Sequence, residues 1–203
     1  MMKTFSIGGI HPSDKKISKD CKIEVLPLPS KVFVSMAQHL GAPATPVVKA
    51  GDIVKVGQVI AEPAGFISAF VHSPVSGTVK SVGPRKDLAG NNMVHVEIDV
   101  EGDEWAEGID ISSEIITSIP EDNKAILDKI KMNGVVGLGG ATFPTHVKLC
   151  PPPGKKADCL ILNGAECEPY LTSDYRIMLE RSKEIIIGAA IMKQVLGGCP
   201  AVI

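Results

Sequence analysis

G-D-I-V-K-V-G-Q-V-I-A-E, from Gly51 to Glu62, is followed after a short connection by V-H-S-P-V-S-G-T-V, from Val71 to Val79. In the first stretch Gly51-Asp52 and Gly57-Gln58 stand at turn positions around alternating apolar residues, and the second turns through Pro74 and Gly77. Around them, residues 31–100 are dense in Val and Ile, which Gly and Pro break into short runs: Val47-Val48, Ile53-Val54, Val59-Ile60, Ile67 to Val71, Thr78 to Val82 and Val94 to Ile98. β-branched runs of this length between turn residues predict a compact all-β unit.

The two stretches resemble the halves of a biotinyl/lipoyl-like barrel-sandwich module. Carriers of that family bear a modified lysine in the hairpin between the halves. Here that hairpin is Pro63-Ala64-Gly65-Phe66-Ile67-Ser68-Ala69-Phe70, without a lysine, which argues against a swinging-arm carrier. Lys55 and Lys80 lie on the strand-and-turn segments and are expected to be solvated surface charges.

Beyond the β unit the texture changes. Glu101, Asp103, Glu104, Glu107 and Asp110, interspersed with Gly102 and Gly108, predict a linker or exposed loop. Ser118-Ile119-Pro120-Glu121 fits a helix start with Ser118 as cap; Ile126, Ile130 and Met132 follow at helical spacing, and Asn133-Gly134 is a stop. The apolar run Cys159 to Asn163 predicts a buried parallel strand. Helices are expected over Ser173 to Glu180 and Lys183 to Leu196, with Gly197-Gly198 as a stop and Ala201-Val202-Ile203 opening another strand. Alternating helices and strands imply an α/β domain, expected to be cut off in mid-fold.

Composition excludes several functions. A net charge of −2 with 4% aromatic residues offers neither a field for phosphates nor platforms for bases, so nucleic acid is not an expected partner. No apolar run reaches the ~18 residues that span a bilayer, so direct membrane insertion and a secretory leader are not expected, and the chain is placed in the cytoplasm. Cys21, Cys150, Cys159, Cys167 and Cys199 contain no C-x-x-C spacing. They are read as reduced, mostly buried thiols, with no metal site in the chain.

Two motifs carry chemistry. G-V-V-G-L-G-G-A-T-F-P-T-H-V-K, Gly134 to Lys148, lets the backbone at Gly137, Gly139 and Gly140 approach a ligand and expose N–H groups. A helix starting near Pro144 would aim its positive end at the same place, and Lys148 adds a charge, which suits a phosphate. This is neither a Walker loop nor the usual dinucleotide fingerprint. L-I-L-N-G-A-E-C-E-P-Y, Leu160 to Tyr170, puts Asn163, Glu166 and Glu168 just past the end of a strand, where open α/β sheets bind ligands. Asn163 can donate and accept, and the carboxylates can accept from hydroxyls. Taken singly, Glu166 and Glu168 are equally readable as solvated loop acids and Asn163 as a turn former.

The ordered pair G-x-G-G-A-x-F-P-T-x-x-K and N-x-x-E-x-E-P resembles the FMN-binding segment of the complex I 51 kDa family. The N-G-A-E-C-E-P form, with F-S-I-G-G-I-H-P (Phe5 to Pro12), L-P-L-P (Leu26 to Pro29) and the barrel-sandwich stretches, is similar to the RnfC family of ferredoxin:NAD oxidoreductases of the Rnf type. A cobalamin-reducing flavoprotein of bacterial microcompartments is built similarly and is the alternative, beside a non-catalytic barrel-sandwich docking module.

The resemblance implies an α+β chain in three parts: an extended segment over 1–30, a barrel-sandwich hybrid over 31–100, and the first part of an α/β FMN/NADH-binding domain over 101–203. By matching positions Gly137, Gly139, Gly140, Phe143 and Lys148 would line the FMN phosphate and ring, and Asn163, Glu166 and Glu168 the ribityl chain, ring edge or incoming nicotinamide. Ala165 stands where the complex I pattern has an aspartate, so that contact does not transfer. No side chain is expected to act as nucleophile or general base. NAD(H) and the other Rnf subunits are the implied partners, at the cytoplasmic face of the plasma membrane. The remaining pocket wall and the 4Fe–4S clusters belong to family segments beyond Ile203.

Overall fold

The computed structural model describes residues 12–87 and 89–203, so of the Phe5 to Pro12 motif all but Pro12 lies outside the described residues. Seven antiparallel strands make the first unit: β1 (Lys31–Ser35), β2 (Thr45–Pro46), β3 (Ile53–Val54), β4 (Val59–Glu62), β5 (Val71–His72), β6 (Ser76–Lys86) and β7 (Asn92–Gly102). They form a four-stranded sheet in the order β1-β7-β6-β3 and a three-stranded sheet in the order β2-β4-β5. Alternation drives the packing. Val54, Ile60, Val79, Val96 and Ile98 point inward with no exposure, and Met36, Val34 and Val71 close the core around them.

The two stretches that decide the fold hydrogen-bond to each other at their turns. Gly51 N–H donates to Val79 O and Val79 N–H to Asp52 O, each at 2.8 Å; six residues on, Gly57 N–H donates to Ser73 O at 2.8 Å and Ser73 N–H to Gln58 O at 2.9 Å. Both glycines have positive φ, +93° and +80°, which a side chain would resist. The lysine-free hairpin is not a strand. Its Ser68 hydroxyl donates to Ala42 O at 2.8 Å and its Ala69 N–H to His39 Nε2 at 3.1 Å, so the connector before β2 holds it down.

The acidic stretch is not wholly a linker. Val56 N–H donates to Glu104 O at 2.8 Å and Ala106 N–H to Val56 O at 2.9 Å, so residues 104–106 extend the β unit before the chain leaves it.

The second unit holds α1 (Asn123–Met132), α2 (Thr145–Lys148), β8 (Leu160–Ile161), α3 (Ser173–Glu180), α4 (Ser182–Val195) and β9 (Ala201–Val202), with β8 and β9 parallel. The first helix starts later than its sequence suggests. Asp122, not Ser118, caps it, its carboxylate accepting from Lys124 and Ala125 N–H at 2.9 and 3.2 Å. The parallel strand is present but not buried, since Ile161 is 70% exposed. The thiols are also outside: Cys21, Cys150, Cys159 and Cys167 are exposed and Cys199 partly so, all free. With Ile126, Leu149 and Ala189 as its buried hydrophobic side chains, this unit has too thin an interior to take them in. Among the described residues no helix is long and apolar enough to cross a membrane.

Candidate functional site

The glycine-rich segment folds as a pinched loop. Val136 and Pro144 form an antiparallel bridge, Gly137 N–H donates to Phe143 O at 3.0 Å, and Thr145 N–H to Val135 O at 2.9 Å, which forces residues 138–142 outward. At the tip Gly139 has φ +77° with open space where a Cβ would stand, and Leu138 is 86% exposed. Thr142, at φ +51°, is the non-glycine residue in the left-handed region; its hydroxyl donates to Ala141 O at 2.8 Å. The Lys148 ammonium lies against Gly137, where any side chain would displace it. The helix expected after Pro144 is one turn long. The loop thus brings Gly137, Phe143 and Lys148 together and leaves Gly139 and Gly140 as an exposed backbone.

The β unit supports this loop from beneath. Leu40 N–H donates to Thr142 O at 3.3 Å, and Gly134, at φ +63°, packs so closely on Phe70 O that a Cβ there would overlap it. His72 lies beside Gly134 with its ring protonated less readily than usual, because burial disfavours the charge while a hydrogen bond with the Met132 backbone acts the other way. In the loop's own helix, His146 is also held below its usual range, first by burial and then by the Lys131 charge, and its Nδ1 is buried without a protein partner among the described residues.

The second motif leaves β8 with Leu162 N–H still donating to Val202 O at 2.9 Å. Asn163 Oδ1 accepts from Ala165 N–H at 3.0 Å, so this side chain builds the turn and keeps its amide donors for other uses. Glu166 Oε1 accepts from Tyr175 N–H at 3.1 Å, while its Oε2 is buried with no partner among the described residues. That carboxylate lines a cavity of about 420 Å³ with Lys16, Lys19, Gly164, Tyr175 and Met178. The Glu168 side chain is exposed, and its backbone oxygen accepts from Lys16 Nζ at 3.0 Å. Among the described residues no hydrogen bond or ion pair joins this motif to the glycine loop.

These features fit a bound flavin nucleotide. The exposed backbone at Gly139 and Gly140 beside an ammonium is a receptor for a phosphate, and an orphan carboxylate oxygen in a cavity calls for an N–H or O–H donor. Lys16, Leu40, Phe70 and His72 touch or support the two motifs. No sequence pattern marked them, because each acts across more than fifty residues of chain through its backbone or a single donor.

A family model described as the RnfC barrel sandwich hybrid domain matches residues 3–103, and one described as the Nuo51 FMN-binding domain matches residues 130–203. The chain is 47% identical over 201 residues to the RnfC-type subunit of the proton-translocating ferredoxin:NAD(+) oxidoreductase complex of Clostridium ljungdahlii, covering 97% of this chain and 42% of that protein. It is 42% identical over 192 residues to the corresponding subunit of the Na(+)-translocating ferredoxin:NAD(+) oxidoreductase complex of Acetobacterium woodii, covering 94% and 43%. Against the corresponding subunit of the ion-translocating oxidoreductase complex of Rhodobacter capsulatus the identity is 41% over 202 residues, covering 97% and 38%. The chain therefore spans about two-fifths of the length of these relatives.

Proposed function

The chain belongs to the RnfC family, and from that premise we propose that it supplies the first part of the FMN site of an electron-input subunit in an ion-translocating ferredoxin:NAD oxidoreductase. The observation that carries this reading is the pinched loop, with its open backbone at Gly139 and the Lys148 ammonium against Gly137. Gly137, Gly139 and Gly140 would present N–H groups to the phosphate, with Lys148 balancing its charge and Phe143 fixing the loop through its backbone oxygen. Asn163 would offer amide donors, and Glu166 and Glu168 would accept from ribityl, ring-edge or nicotinamide donors. When bound, FMN supplies hydride exchange with NAD(H) and one-electron transfer onward to 4Fe–4S clusters. The residues of this chain orient, neutralise charge and exclude water; none is assigned a nucleophilic or general-base role. The subunit would sit peripherally, on the cytoplasmic side of the membrane, against the other subunits of the complex.

The test is a titration of FMN into the protein expressed from its full gene, followed by flavin fluorescence, with Gly139→Val in parallel. A β-branched residue at φ +77° opposes the backbone conformation and projects into the phosphate's approach. The variant is expected to bind roughly a hundredfold more weakly, about 2.7 kcal/mol. Normal binding by Gly139→Val would overturn the role of the loop.

A further inference from the structure

The segment before β1 does not run free. Lys16 Nζ donates to Glu168 O at 3.0 Å and to Leu171 O at 2.6 Å; the Ser18 and Thr172 hydroxyls share a hydrogen bond of 2.8 Å; Arg176 Nη1 donates to Lys19 O at 3.0 Å; and Ile23 N–H reaches the Glu180 carboxylate at 3.1 and 3.2 Å. All of these bonds land on the end of the N-G-A-E-C-E-P-Y motif or on α3, about 150 residues away in sequence.

The consequence lies in how α3 is capped. Thr172 occupies the N-cap position yet makes no side-chain cap bond, and its hydroxyl is paired with Ser18. A threonine there would ordinarily accept from an N–H of the first turn. Glu166 does so instead, through Tyr175 N–H, and this draws the motif's carboxylate onto the helix and its second oxygen into the cavity under Lys16 and Lys19. Lys16 meanwhile ties two carbonyls of the intervening turn.

We infer that residues 16–23 are a clasp that positions the candidate ligand loop: Ser18 occupies Thr172 so that Glu166 must cap α3, and Lys16 pins the turn between Glu168 and Leu171. This rests on the reading that the loop holds the flavin or its nicotinamide partner. Lys16 and Ser18 are positioning residues, acting on the ligand through Glu166 and Glu168.

The experiment measures two quantities on the protein expressed from its full gene, FMN affinity and amide hydrogen exchange over residues 164–175. The variants are Lys16→Met, which keeps the stem and removes the ammonium, and Ser18→Ala, which frees Thr172 to cap. Each is expected to speed exchange at the turn and weaken FMN binding about tenfold, which corresponds to about 1.4 kcal/mol. Lys16→Arg and Ser18→Thr, which keep the donors, should restore both. A purely structural strap would instead change exchange in Lys16→Met and Ser18→Ala and leave FMN affinity at the wild-type value, and that result would overturn the inference, as would unchanged exchange in both variants. If the wild type itself takes up no FMN while exchange responds as expected, the flavin reading falls and the clasp stands as the device that sets the loop.

Discussion

The β unit and the α/β unit are of similar length and differ in what holds them. In the first, Val54, Ile60, Val79, Val96 and Ile98 are sealed between two sheets. In the second, Leu138, Ile161, Leu179, Ile186, Val202 and Ile203 are exposed, and the main ties are helix caps, the pinch at Val136 and Pro144, and the clasp. Burial supplies most of the favourable free energy of folding, so the β unit is the anchor. The loops with candidate chemistry lie on the other unit and lean on that anchor at Leu40 and Phe70. An exposed backbone able to receive a phosphate cannot also be a packed core, and the division of labour follows from that.

The contrast is broken most directly by removing apolar atoms from each side. Ile60→Ala leaves a cavity in the sealed core and is expected to cost about 2–5 kcal/mol. Ile161→Ala, at a residue 70% exposed, should stay within about 0.5 kcal/mol. Urea denaturation followed by circular dichroism measures both. Equal losses would mean that the exposed sheet carries as much of the fold as the sandwich does.

Legibility divides along the same line. The turns at Gly51 and Gly57 and the alternation around them are local, so the sandwich could be read from the chain, as could α3 and the stops at Gly134 and Gly197. Burial could not, because it depends on which layers cover an element. Cys159 to Asn163 has the texture of an inner strand, yet its Ile161 faces out. Ser118 has the right chemistry for a cap, but Asp122 stands one residue before the first helical position and takes the two free N–H groups. At the candidate site the glycines and acids were legible as a pair of motifs. Their supports were not: nothing local links Lys16 to Glu168 or Leu40 to Thr142. Asn163 shows that two readings can both apply, since it builds the turn with its oxygen and retains its amide donors.

The next effect in size probes the joint. Gly134→Ala combines a positive φ with an overlap on Phe70 O, whereas Gly139→Ala carries a similar φ in open space. The backbone penalty alone is about 1–2 kcal/mol. Gly134→Ala is therefore expected to lose clearly more stability than Gly139→Ala, and to loosen the loop it anchors, as read by thermal denaturation and limited proteolysis after residue 134. Equal losses would show that the close approach to Phe70 is not a tie between the units.

A smaller effect should appear with pH. His72 at the joint and His146 in the loop both have depressed proton affinity in the folded state, mainly through burial. Below the unfolded value near 6.5 the unfolded chain binds more protons than the folded one, so the stability these rings contribute is complete above that pH. It is lost as pH falls through the lower folded values. The urea midpoint should therefore drop between about pH 6.5 and 5, with a shallower slope in His72→Gln and a shallower one still when His146→Gln is added. A slope unchanged in the double variant would remove both histidines from the account.

The smallest effect is expected where charge, not packing, decorates the anchor. Lys55 pairs with Glu104 at 2.6 Å, and its proton affinity is raised chiefly by that hydrogen bond. The pair is exposed, however, so water and salt screen it and ordering two long side chains offsets much of the attraction. The backbone bonds between Val56 and residues 104–106 hold the same junction without it. Lys55→Gln should thus leave the urea midpoint unchanged at moderate salt, and FMN affinity with it. The intact mass of the wild-type protein made in cells should match the bare sequence, because the hairpin that would carry a modified lysine has none and Lys55 is engaged with Glu104. A marked loss of stability in Lys55→Gln would mean that the sandwich depends on its rim of charges, and a covalent adduct on Lys55 would return the carrier reading to the β unit.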